Sequence, residues 1–494
     1  MSVATPVPLP TPTRAGRALP FFALVGALGA VVVFSALALW RSEPAPLFWV
    51  TFGYLFYELG INVLLVVAAG RGIAQMRRDA GAGTALATPK LPALSVLIAA
   101  HNERLCILDT LGSVFAQGGV ASLEVIVASD GSTDGMNALL TAQYALDATT
   151  GASPDGRLRL LALPKVGKGP ALNAALAVAR GELVVTLDAD TRLAPGALHA
   201  LAALFAGEPT IASAGGFVYV RNAGPGGPWI ARYQFWEYLK NFMWRVGLAH
   251  LGVCLQVSGA FGAFRTHLLR EELGGFSGRS LVEDYEVIYR LHERLRRAGR
   301  AYRVAVAPDA VAFTDGPETV PAFLHQRTRW FTGFLQTLWE YRHLVFGKKM
   351  GALGHFMLPI KCVDAVLPLW GALSLGILLA AAFGSAGAHP HGGSAAGWQR
   401  AALALFLGKW LADVALSALM WRWHARLFPG RAGIPPLRQQ AWFIVTEGLI
   451  FNWFRQLAVL NAYGWFVRRV QKWHQPRWQH AAPPPPAAAA GSGN

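Results

Sequence analysis

Long apolar runs without charge constrain this chain more than any other feature. The first run, Phe21–Trp40, contains no charged residue. Because an α-helix rises 1.5 Å per residue, about 20 such residues cross the ~30 Å hydrocarbon core of a bilayer. The alternative is a cleaved signal peptide, since Arg14 and Arg17 precede the run and Ala36–Ala38 resembles a cleavage site. The apolar segment of a signal peptide is only about 7–15 residues long, so the run predicts a transmembrane helix.

Further apolar runs lie on both sides of a more polar middle region. They are Leu47–Ala69, Phe356–Phe383, Ala401–Trp421 and Gln440–Phe466. Charged residues make up only 15% of the chain, against about 25% in a typical soluble protein. This composition excludes a disordered or wholly soluble protein. The last run contains Glu447, Asn452 and Arg455, so it is either a span that lines a pore or a half-buried interfacial helix.

The charge distribution predicts how these runs are oriented. Lys and Arg number 44 and Asp and Glu number 28, which gives 44 − 28 = +16. The basic residues lie mostly at the edges of the apolar runs, which favours anionic lipid head groups and phosphorylated ligands over nucleic acid. By the positive-inside rule, the arginines that flank the first two runs and the loop 422–438 are cytoplasmic, whereas the loop 384–397 lies on the other side.

The middle region has the pattern of an α/β domain. Short apolar strands beginning at Leu94, Leu123 and Glu182 alternate with helices and predict a mostly parallel sheet. The chain then divides into a disordered N-terminus (1–18), two transmembrane helices (19–70), a nucleotide-binding domain (91–317), an interfacial helix (318–350), two to three transmembrane helices (351–467) and a basic, then Pro/Ala-rich, disordered tail (468–494).

Polar side chains follow each of the three predicted strands. Asn102 and Glu103 follow the first, Asp130 ends the second, and Asp188 and Asp190 follow the third. Ligands of parallel sheets bind beyond the carboxyl ends of the strands. Two carboxylates at one strand end suit a hard divalent cation that bridges two phosphates. A helix cap is the alternative for any one of these residues, but three acidic turns at one edge favour a ligand site.

Three further motifs lie downstream. Lys168 lies in a glycine-bearing loop before a helix beginning at Ala171, which suits phosphate but does not match a P-loop. Glu283–Asp284 begins an amphipathic helix, where a carboxylate pair is either a cap or a functional pair. Gln326–Trp330 opens a basic, aromatic helix running to Val345, which is typical of a segment on a membrane surface.

The order of these motifs resembles the inverting family 2 glycosyltransferases. The nearest branch is the membrane-embedded, processive one that includes cellulose, hyaluronan, chitin and poly-N-acetylglucosamine synthases. The motifs that carry the resemblance, within Leu91–Tyr341, are Ala99–Glu103, Asp130–Asp134, Asp188–Asp190, Ser258–Phe261, Glu283–Asp284 and Gln326–Trp330. The resemblance implies an α/β GT-A-type (Rossmann-like) domain inserted between transmembrane helices of the inner (plasma) membrane, with the catalytic domain in the cytoplasm.

The resemblance also implies roles on the donor side. Asp130 resembles the partner of the uracil edge of a UDP-sugar, with Asn102 and Glu103 in the neighbouring loop. Ser129 stands where the family often has another aspartate, so a role for that position is lost here. Asp188, Asp190 and Lys168 then hold the donor diphosphate. Asp190 is the more direct ligand of Mg²⁺ or Mn²⁺.

On the acceptor side, the resemblance implies that Asp284 is the catalytic base. Ser258, Gly259 and Glu283 then contribute to the acceptor or product site. Gln326, Arg329 and Trp330 resemble the motif that holds the acceptor terminus and closes over the pyrophosphate.

The implied reaction is the inverting transfer of a hexose or N-acetylhexosamine from a UDP-sugar to the end of a growing β-linked polysaccharide. The resemblance also implies export of the polymer through the membrane, with accessory export proteins as partners. The alternatives are non-processive transfer to a membrane lipid and an inactive membrane scaffold. Glu447, Asn452 and Arg455 are expected to line the polymer path. The alternative for them is that Arg455 reaches an interface and Glu447 pairs with it across two helical turns.

Overall fold

The computed structural model describes residues 19–40, 44–82, 90–224, 226–383, 395–427 and 437–469. The predicted disordered ends, and most of the loops 384–397 and 422–438, lie outside the described residues. The orientation that was inferred from those loops therefore stays a prediction.

The first two apolar runs form an α-helical hairpin. Helix α1 covers Leu19–Trp40 and helix α2 covers Pro44–Ala82. The part of α2 that meets the apolarity and length of a span is Thr51–Met76. The membrane crossing of α1 stays a prediction.

An eight-stranded sheet forms the centre of the middle region. Its strands lie in the order β3-β2-β1-β4-β7-β6-β8-β5. The strand bounds are β1 Leu94–Ala100, β2 Leu123–Asp130, β3 Leu158–Leu163, β4 Leu183–Leu187, β5 Arg192–Leu193, β6 Ile211–Val220, β7 Phe261–Arg265 and β8 Arg303–Thr314.

The sheet is parallel in one half and mixed in the other. β1 pairs in parallel with β2 and β4, as the sequence predicted. β2 also pairs in parallel with β3, a strand that was not predicted. Beyond β4, however, β7 runs antiparallel to both β4 and β6, and β5 runs antiparallel to β8. These strands were not predicted, because β6 is buried along its whole length and shows no apolar–polar alternation. Its pair Gly215–Gly216 also has the sequence pattern of a turn.

Close packing between β6 and β7 explains why position 216 is a glycine. A Cβ atom at this position would lie 2.2 Å from the Phe261 ring on β7. Only glycine therefore lets the two strands approach at this point.

Helices cover both faces of the sheet. They are α3 Ile107–Phe115, α4 Met136–Tyr144, α5 Lys168–Val178, α6 Ala197–Gly207, α7 Trp229–His250 and α8 Glu283–Arg297. On α3, the fully buried side chains Ile107, Leu111 and Val114 share one face. Each contributes about 1.5–3 kcal/mol by leaving water. Helix α5 begins at Lys168, earlier than the predicted start at Ala171, so Lys168 lies in its first turn.

Helix α7 joins the sheet domain to the hairpin. It packs against α2 through two glycines: a Cβ on Gly247 would lie 2.7 Å from the Ala69 nitrogen, and one on Gly72 would lie 2.9 Å from the Val246 oxygen. The two backbones therefore approach more closely than larger residues would allow. This contact fixes α7, and with it the sheet domain, against α2.

The helices after the sheet are α9 Val320–Glu340, α10 Leu358–Phe383, α11 Ala395–Leu427, α12 Leu437–Thr446 and α13 Asn452–Val467. Within the described residues, four helical stretches are long and apolar enough to cross a membrane. Besides the one in α2, they are Leu353–Ser374, Leu403–Arg426 and Arg438–Val467. The last includes both α12 and α13, joined by a π-helical turn over Glu447–Phe451.

Helix α9 differs from the predicted surface helix. It begins at Val320, where Thr319 caps it by accepting a hydrogen bond from the Ala322 nitrogen, and it ends at Glu340. Thr328 is buried and donates to the Ala458 carbonyl of α13. The predicted start at Gln326 and end at Val345 therefore differ from the bounds of the described helix. Charged Arg327 is buried through an ion pair with Glu237, and the position of the helix on a membrane surface stays a prediction.

Candidate active site

The turns that follow β1 and β2 are locked together at the sheet edge. Asn102 adopts a left-handed backbone conformation with φ +59°, which asparagine tolerates better than most residues. Its side-chain oxygen accepts a hydrogen bond from the Thr133 nitrogen at 2.8 Å. Its own backbone nitrogen donates to the Ser132 hydroxyl at 3.1 Å. The first two predicted polar clusters therefore form one rigid surface.

Asp130 holds the loop that precedes α5. It is 4% exposed, and its carboxylate accepts hydrogen bonds from the backbone nitrogens of Val166 (2.6 Å) and Gly167 (3.0 Å). Lys165 Nζ lies 3.2 Å from its other oxygen. These contacts join the second and the fourth predicted motifs. The uracil contact of Asp130 stays a prediction.

Lys168 connects the predicted metal-binding motif to the carboxylate pair on α8. Its Nζ lies 2.7 Å from Asp188 Oδ1 and 3.0 Å from Glu283 Oε1. Burial alone would lower the pKa of Lys168, but the two carboxylates raise it overall, so the side chain is charged. Conversely, burial would raise the pKa of Glu283, and Lys168 lowers it overall. The sequence placed Lys168 near phosphate but gave no sign of this bridge.

Asp190 lies among other carboxylates. Burial, and after it the negative charges of Asp188, Glu103 and Asp315, raise its pKa to about 7. The hydroxyl of Thr314 lies 3.3 Å from its Oδ1 and offsets part of the shift. Sequence reasoning missed Asp315, although it follows β8 as Asp188 follows β4, because β8 itself was not predicted.

The acidic pair fits a divalent cation that is bound together with phosphate. Repulsion among these carboxylates is what a cation would relieve. Within the described part of the chain, no group of three or more His, Cys, Asp or Glu side chains is arranged to hold a metal ion. Asp188 and Asp190 alone leave coordination positions for water and diphosphate oxygens, as Mg²⁺ prefers.

Asp284 lies in the first turn of α8, next to the glycine of the Ser258–Gly259 motif. Its Oδ2 accepts a hydrogen bond from the Gly259 nitrogen at 2.8 Å. Burial and then the charge of Glu283 raise its pKa to about 6, while Lys168 and the Gly259 N–H act in the opposite direction. A Cβ on Gly259 would lie 2.9 Å from Asp284 Oδ2, so this position requires glycine. The Ser258 carbonyl accepts from the Phe261 nitrogen and fixes the turn.

Helix α9 supports the segment that leads into α8. Arg329 donates to the Leu281 carbonyl at 3.2 Å, and the Gln336 side chain accepts from the Leu281 nitrogen at 3.0 Å. A Cβ on Gly333 would lie 2.4 Å from the Val282 side chain, so the two segments are in close contact. The predicted Gln-x-x-Arg-Trp motif and the predicted base are therefore neighbours in the fold.

The remaining residues of this motif face α7. Gln326 accepts a hydrogen bond from Arg327, whose guanidinium also pairs with Glu237 and lies 4.1 Å from the centroid of the Trp330 ring. The Trp330 and Tyr238 rings are 6.3 Å apart. Sequence reasoning missed Arg327. The sequence offered one signal for it: Arg327 is a charged residue on the apolar face of a predicted helix, which indicates a buried partner of opposite charge.

A cavity of about 530 Å³ lies beside this motif, and each of the four candidate spans contributes to its wall. Trp330 lines it, and so do Glu447, Asn452 and Arg455, the residues predicted to face a polymer path. The alternative pairing of Glu447 with Arg455 is wrong. Glu447 instead pairs with Lys240 and accepts a hydrogen bond from Trp236 Nε1, because the π-helical turn directs it toward α7.

Comparisons with known proteins agree with this geometry. Residues 95–267 match the family model described as glycosyl transferase family 2. Residues 183–454, more than half of the chain, match the one described as glycosyl transferase family group 2. A mannosyltransferase from Pyrobaculum calidifontis, solved in complex with GDP-Man and Mn²⁺, is similar with a TM-score of 0.52 at 23% identity, over 78% of this chain and 100% of that one. The sheet has the GT-A-type fold that the sequence predicted.

Two curated relatives indicate the range of the similarity. An N-acetylglucosaminyltransferase of Mesorhizobium japonicum is 30% identical over 48% of this chain and 55% of its own length. A beta-monoglucosyldiacylglycerol synthase of Nostoc sp. is 27% identical over 53% of each chain. This chain thus spans about half the length of the curated relatives that it matches.

Proposed function

Because the chain belongs to glycosyl transferase family group 2, we propose that it transfers a sugar, with inversion, from a UDP-sugar to the end of a growing β-linked polysaccharide. The observation that carries this proposal is the Lys168 bridge. It brings Asp188, at the end of β4, to the Glu283–Asp284 pair. A donor site and a base for the acceptor are thereby held side by side.

Asp284 is the general base in this reaction. The acceptor hydroxyl oxygen attacks the anomeric carbon, the bond from that carbon to the diphosphate oxygen breaks, and Asp284 takes the hydroxyl proton. A pKa of about 6 leaves Asp284 mostly ionised at neutral pH while keeping it basic enough to accept a proton. UDP leaves with the bonding electron pair.

The leaving diphosphate requires positive charge. Asp190 and Asp188 would hold Mg²⁺ or Mn²⁺, which supplies that charge when bound. The side chain of Lys168 is 37% exposed, and its Nζ is the protein cation next to the Asp188 carboxylate. Arg329, held against the Leu281 carbonyl, provides a second cation near Glu283.

The cavity among the candidate spans is the proposed path of the product. Trp330 of α9 lines it together with residues of α2, α10 and α11, and Trp330 belongs to the motif that is expected to hold the acceptor terminus. We propose that the protein is a multi-pass protein of the plasma membrane with its sheet domain in the cytoplasm. The polymer then leaves through the cavity, with accessory export proteins beyond the membrane.

A second candidate function is the transfer of one sugar to a membrane lipid. The similarity to the beta-monoglucosyldiacylglycerol synthase favours this alternative. A lipid acceptor needs entry from the side of the bilayer, whereas a polymer needs a path that continues across it. Product size therefore separates the two functions.

The test is a transferase assay on the full-length protein in detergent, with a panel of UDP-sugars, Mg²⁺ or Mn²⁺, and both UDP release and product length measured. A polymer with UDP release supports the proposal. A single-sugar glycolipid supports the second candidate. Absence of UDP release from every donor would instead favour an inactive scaffold, and Asp284→Asn serves as the matched inactive control.

A further inference from the structure

The cavity among the candidate spans has an unusual charge balance. Among the residues that the structure describes, ten charged side chains line it, five of each sign. The cations are Lys240, Arg327, Lys361, Lys409 and Arg455, and the anions are Glu58, Glu237, Asp364, Asp413 and Glu447. The formal charge of the wall is therefore zero.

Each of these cations already has a carboxylate partner from the same wall. Lys240 pairs with Glu447, and Arg327 pairs with Glu237. Lys361 Nζ lies 2.8 Å from Asp364.

The other two cations are not in simple one-to-one pairs: one has two carboxylate partners, and the other shares Glu237 with Arg327. Lys409 pairs with Asp413 and lies 2.9 Å from Glu58. Arg455 is held most loosely, with its Nε 3.9 Å from Glu237 Oε1 and its Nη1 3.3 Å from Asn452 Oδ1. Among the described lining residues, none is therefore a cation reserved for a ligand.

From this arrangement we infer that the cavity accepts an uncharged glycan and rejects acidic ones, such as chains of uronic acids or phosphorylated carriers. The inference rests on the proposed function and specifies the substrate class of its acceptor site. It is carried by the pairing of charges, which the sequence does not reveal.

The energetic reason is the cost of an unpaired charge. An acidic sugar that enters the cavity loses its hydration. It finds four of the five described cations in close ion pairs and the fifth, Arg455, loosely paired. To pair with Lys240, for example, it would have to displace Glu447, which would leave that carboxylate buried without a partner. Breaking a buried ion pair in this way is strongly unfavourable, because it leaves a buried charge without compensation.

An uncharged sugar meets the opposite situation. Its hydroxyl groups both donate and accept, so they add hydrogen bonds to the free lone pairs of the carboxylates and to the remaining N–H groups without separating any pair. The wall also offers the aromatic rings of Trp244, Trp330 and Trp410, whose apolar faces suit the C–H faces of sugar rings. A volume of about 530 Å³ gives room for a short oligosaccharide.

The experiment measures binding of oligosaccharides to the full-length protein in detergent. The uncharged probes are cellotetraose and chitotetraose, and the acidic probe is a tetramer of galacturonic acid. We expect at least one uncharged tetramer to bind at least tenfold more tightly than the acidic one. Its Kd should change less than twofold between 50 and 500 mM NaCl.

Glu447→Gln is the decisive variant, because it removes one carboxylate and leaves Lys240 without its ionic partner. We expect affinity for the acidic tetramer to rise at least tenfold, while affinity for the uncharged probe changes little. Glu447→Asp retains the charge and is the matched control, with no gain for the acidic probe. Thermal unfolding and UDP binding of both variants confirm that they are folded.

Equal or tighter binding of the acidic tetramer by the unaltered protein overturns the inference. So does a failure of both uncharged tetramers to bind in a preparation that still releases UDP from its donor, and this result leaves the proposed function intact. Uncharged-glycan binding without UDP release from any donor has the opposite meaning: the inference stands and the proposed function fails.

Discussion

Substitution of Lys168 by methionine tests whether the two halves of the candidate active site are electrostatically coupled. In the structure, Lys168 Nζ lies 2.7 Å from Asp188 and 3.0 Å from Glu283. Methionine retains most of the side-chain length but removes the charge. The carboxylates Asp188, Glu283 and Asp284 then lie near one another without their shared cation.

The expected loss of stability is small. A fully buried ion pair that loses one partner costs about 3–5 kcal/mol. Here, however, the side chains of Lys168 and Asp188 are 37% and 34% exposed. Solvent screening brings the expected cost closer to ~1 kcal/mol.

The larger effect concerns Asp284. Lys168 lowers the pKa of Asp284 against burial and the charge of Glu283, and the result is a pKa of about 6. Loss of this cation should raise that pKa by about one unit, or ~1.4 kcal/mol. Because a base acts only when deprotonated, the ionised fraction at pH 6 falls from about one half to about one tenth. Activity at pH 6 should then fall about fivefold from ionisation alone, and this part of the loss should nearly vanish above pH 8.

The assay is the pH dependence of kcat/KM for UDP release between pH 5 and 9. Activity should rise with pH in both proteins, with a higher midpoint in Lys168→Met. Lys165→Met is the matched control, since Lys165 pairs with Asp130 at 3.2 Å and is 49% exposed; its midpoint should not move. An unchanged midpoint in Lys168→Met, whatever the fall in rate, would refute the coupling.

Four further substitutions test the assigned roles. Asp284→Asn should retain UDP binding while turnover falls by about 10²–10⁴-fold, as expected for loss of a general base; weak UDP binding would place Asp284 in the donor site instead. Asp190→Ala should abolish the Mn²⁺-dependent part of UDP binding in a titration, and a normal titration would contradict its role as a metal ligand. Gly259→Ala should displace Asp284, since the added Cβ lies 2.9 Å from Oδ2, and lower kcat by roughly 10–100-fold with UDP binding unchanged. Asn452→Leu should shorten the polymer on a gel without reducing UDP release; unchanged product length would remove Asn452 from the path.

Three strands of the parallel half, β1, β2 and β4, could be predicted because each is a short apolar run that ends in a polar turn. Leu123–Asp130 is an example. The other half could not be predicted, because β6 and β7 are buried on both faces and carry glycines where backbones meet. Gly216 against Phe261 shows why: the constraint is a contact between strands that are distant in sequence. The pattern of neighbouring residues in the sequence does not predict such a contact.

The candidate site shows the same division. Asp188, Asp190 and Asp284 could be proposed from the sequence because acidic residues at strand and helix ends form short motifs. It did not identify the Lys168 bridge or the Arg327–Glu237 pair, which join elements far apart in the chain. Charged residues without a motif look like solvent-exposed positions until their partners are known. The charge balance of the cavity is hidden from the sequence for the same reason.

The adjacent carboxylates Glu283 and Asp284 also show how the fold separates two roles. In the sequence they are equivalent members of an acidic pair at a helix N-terminus. In the structure, Lys168 outweighs burial and lowers the pKa of Glu283, so that carboxylate stays ionised as an electrostatic support. Asp284 accepts a hydrogen bond from the Gly259 N–H, and burial together with the charge of Glu283 raises its pKa to about 6. Neighbouring carboxylates with pKa values moved in opposite directions are typical of a pair in which one group carries charge and the other exchanges a proton. Asp284 is therefore the member of the pair suited to accept the proton of the acceptor hydroxyl.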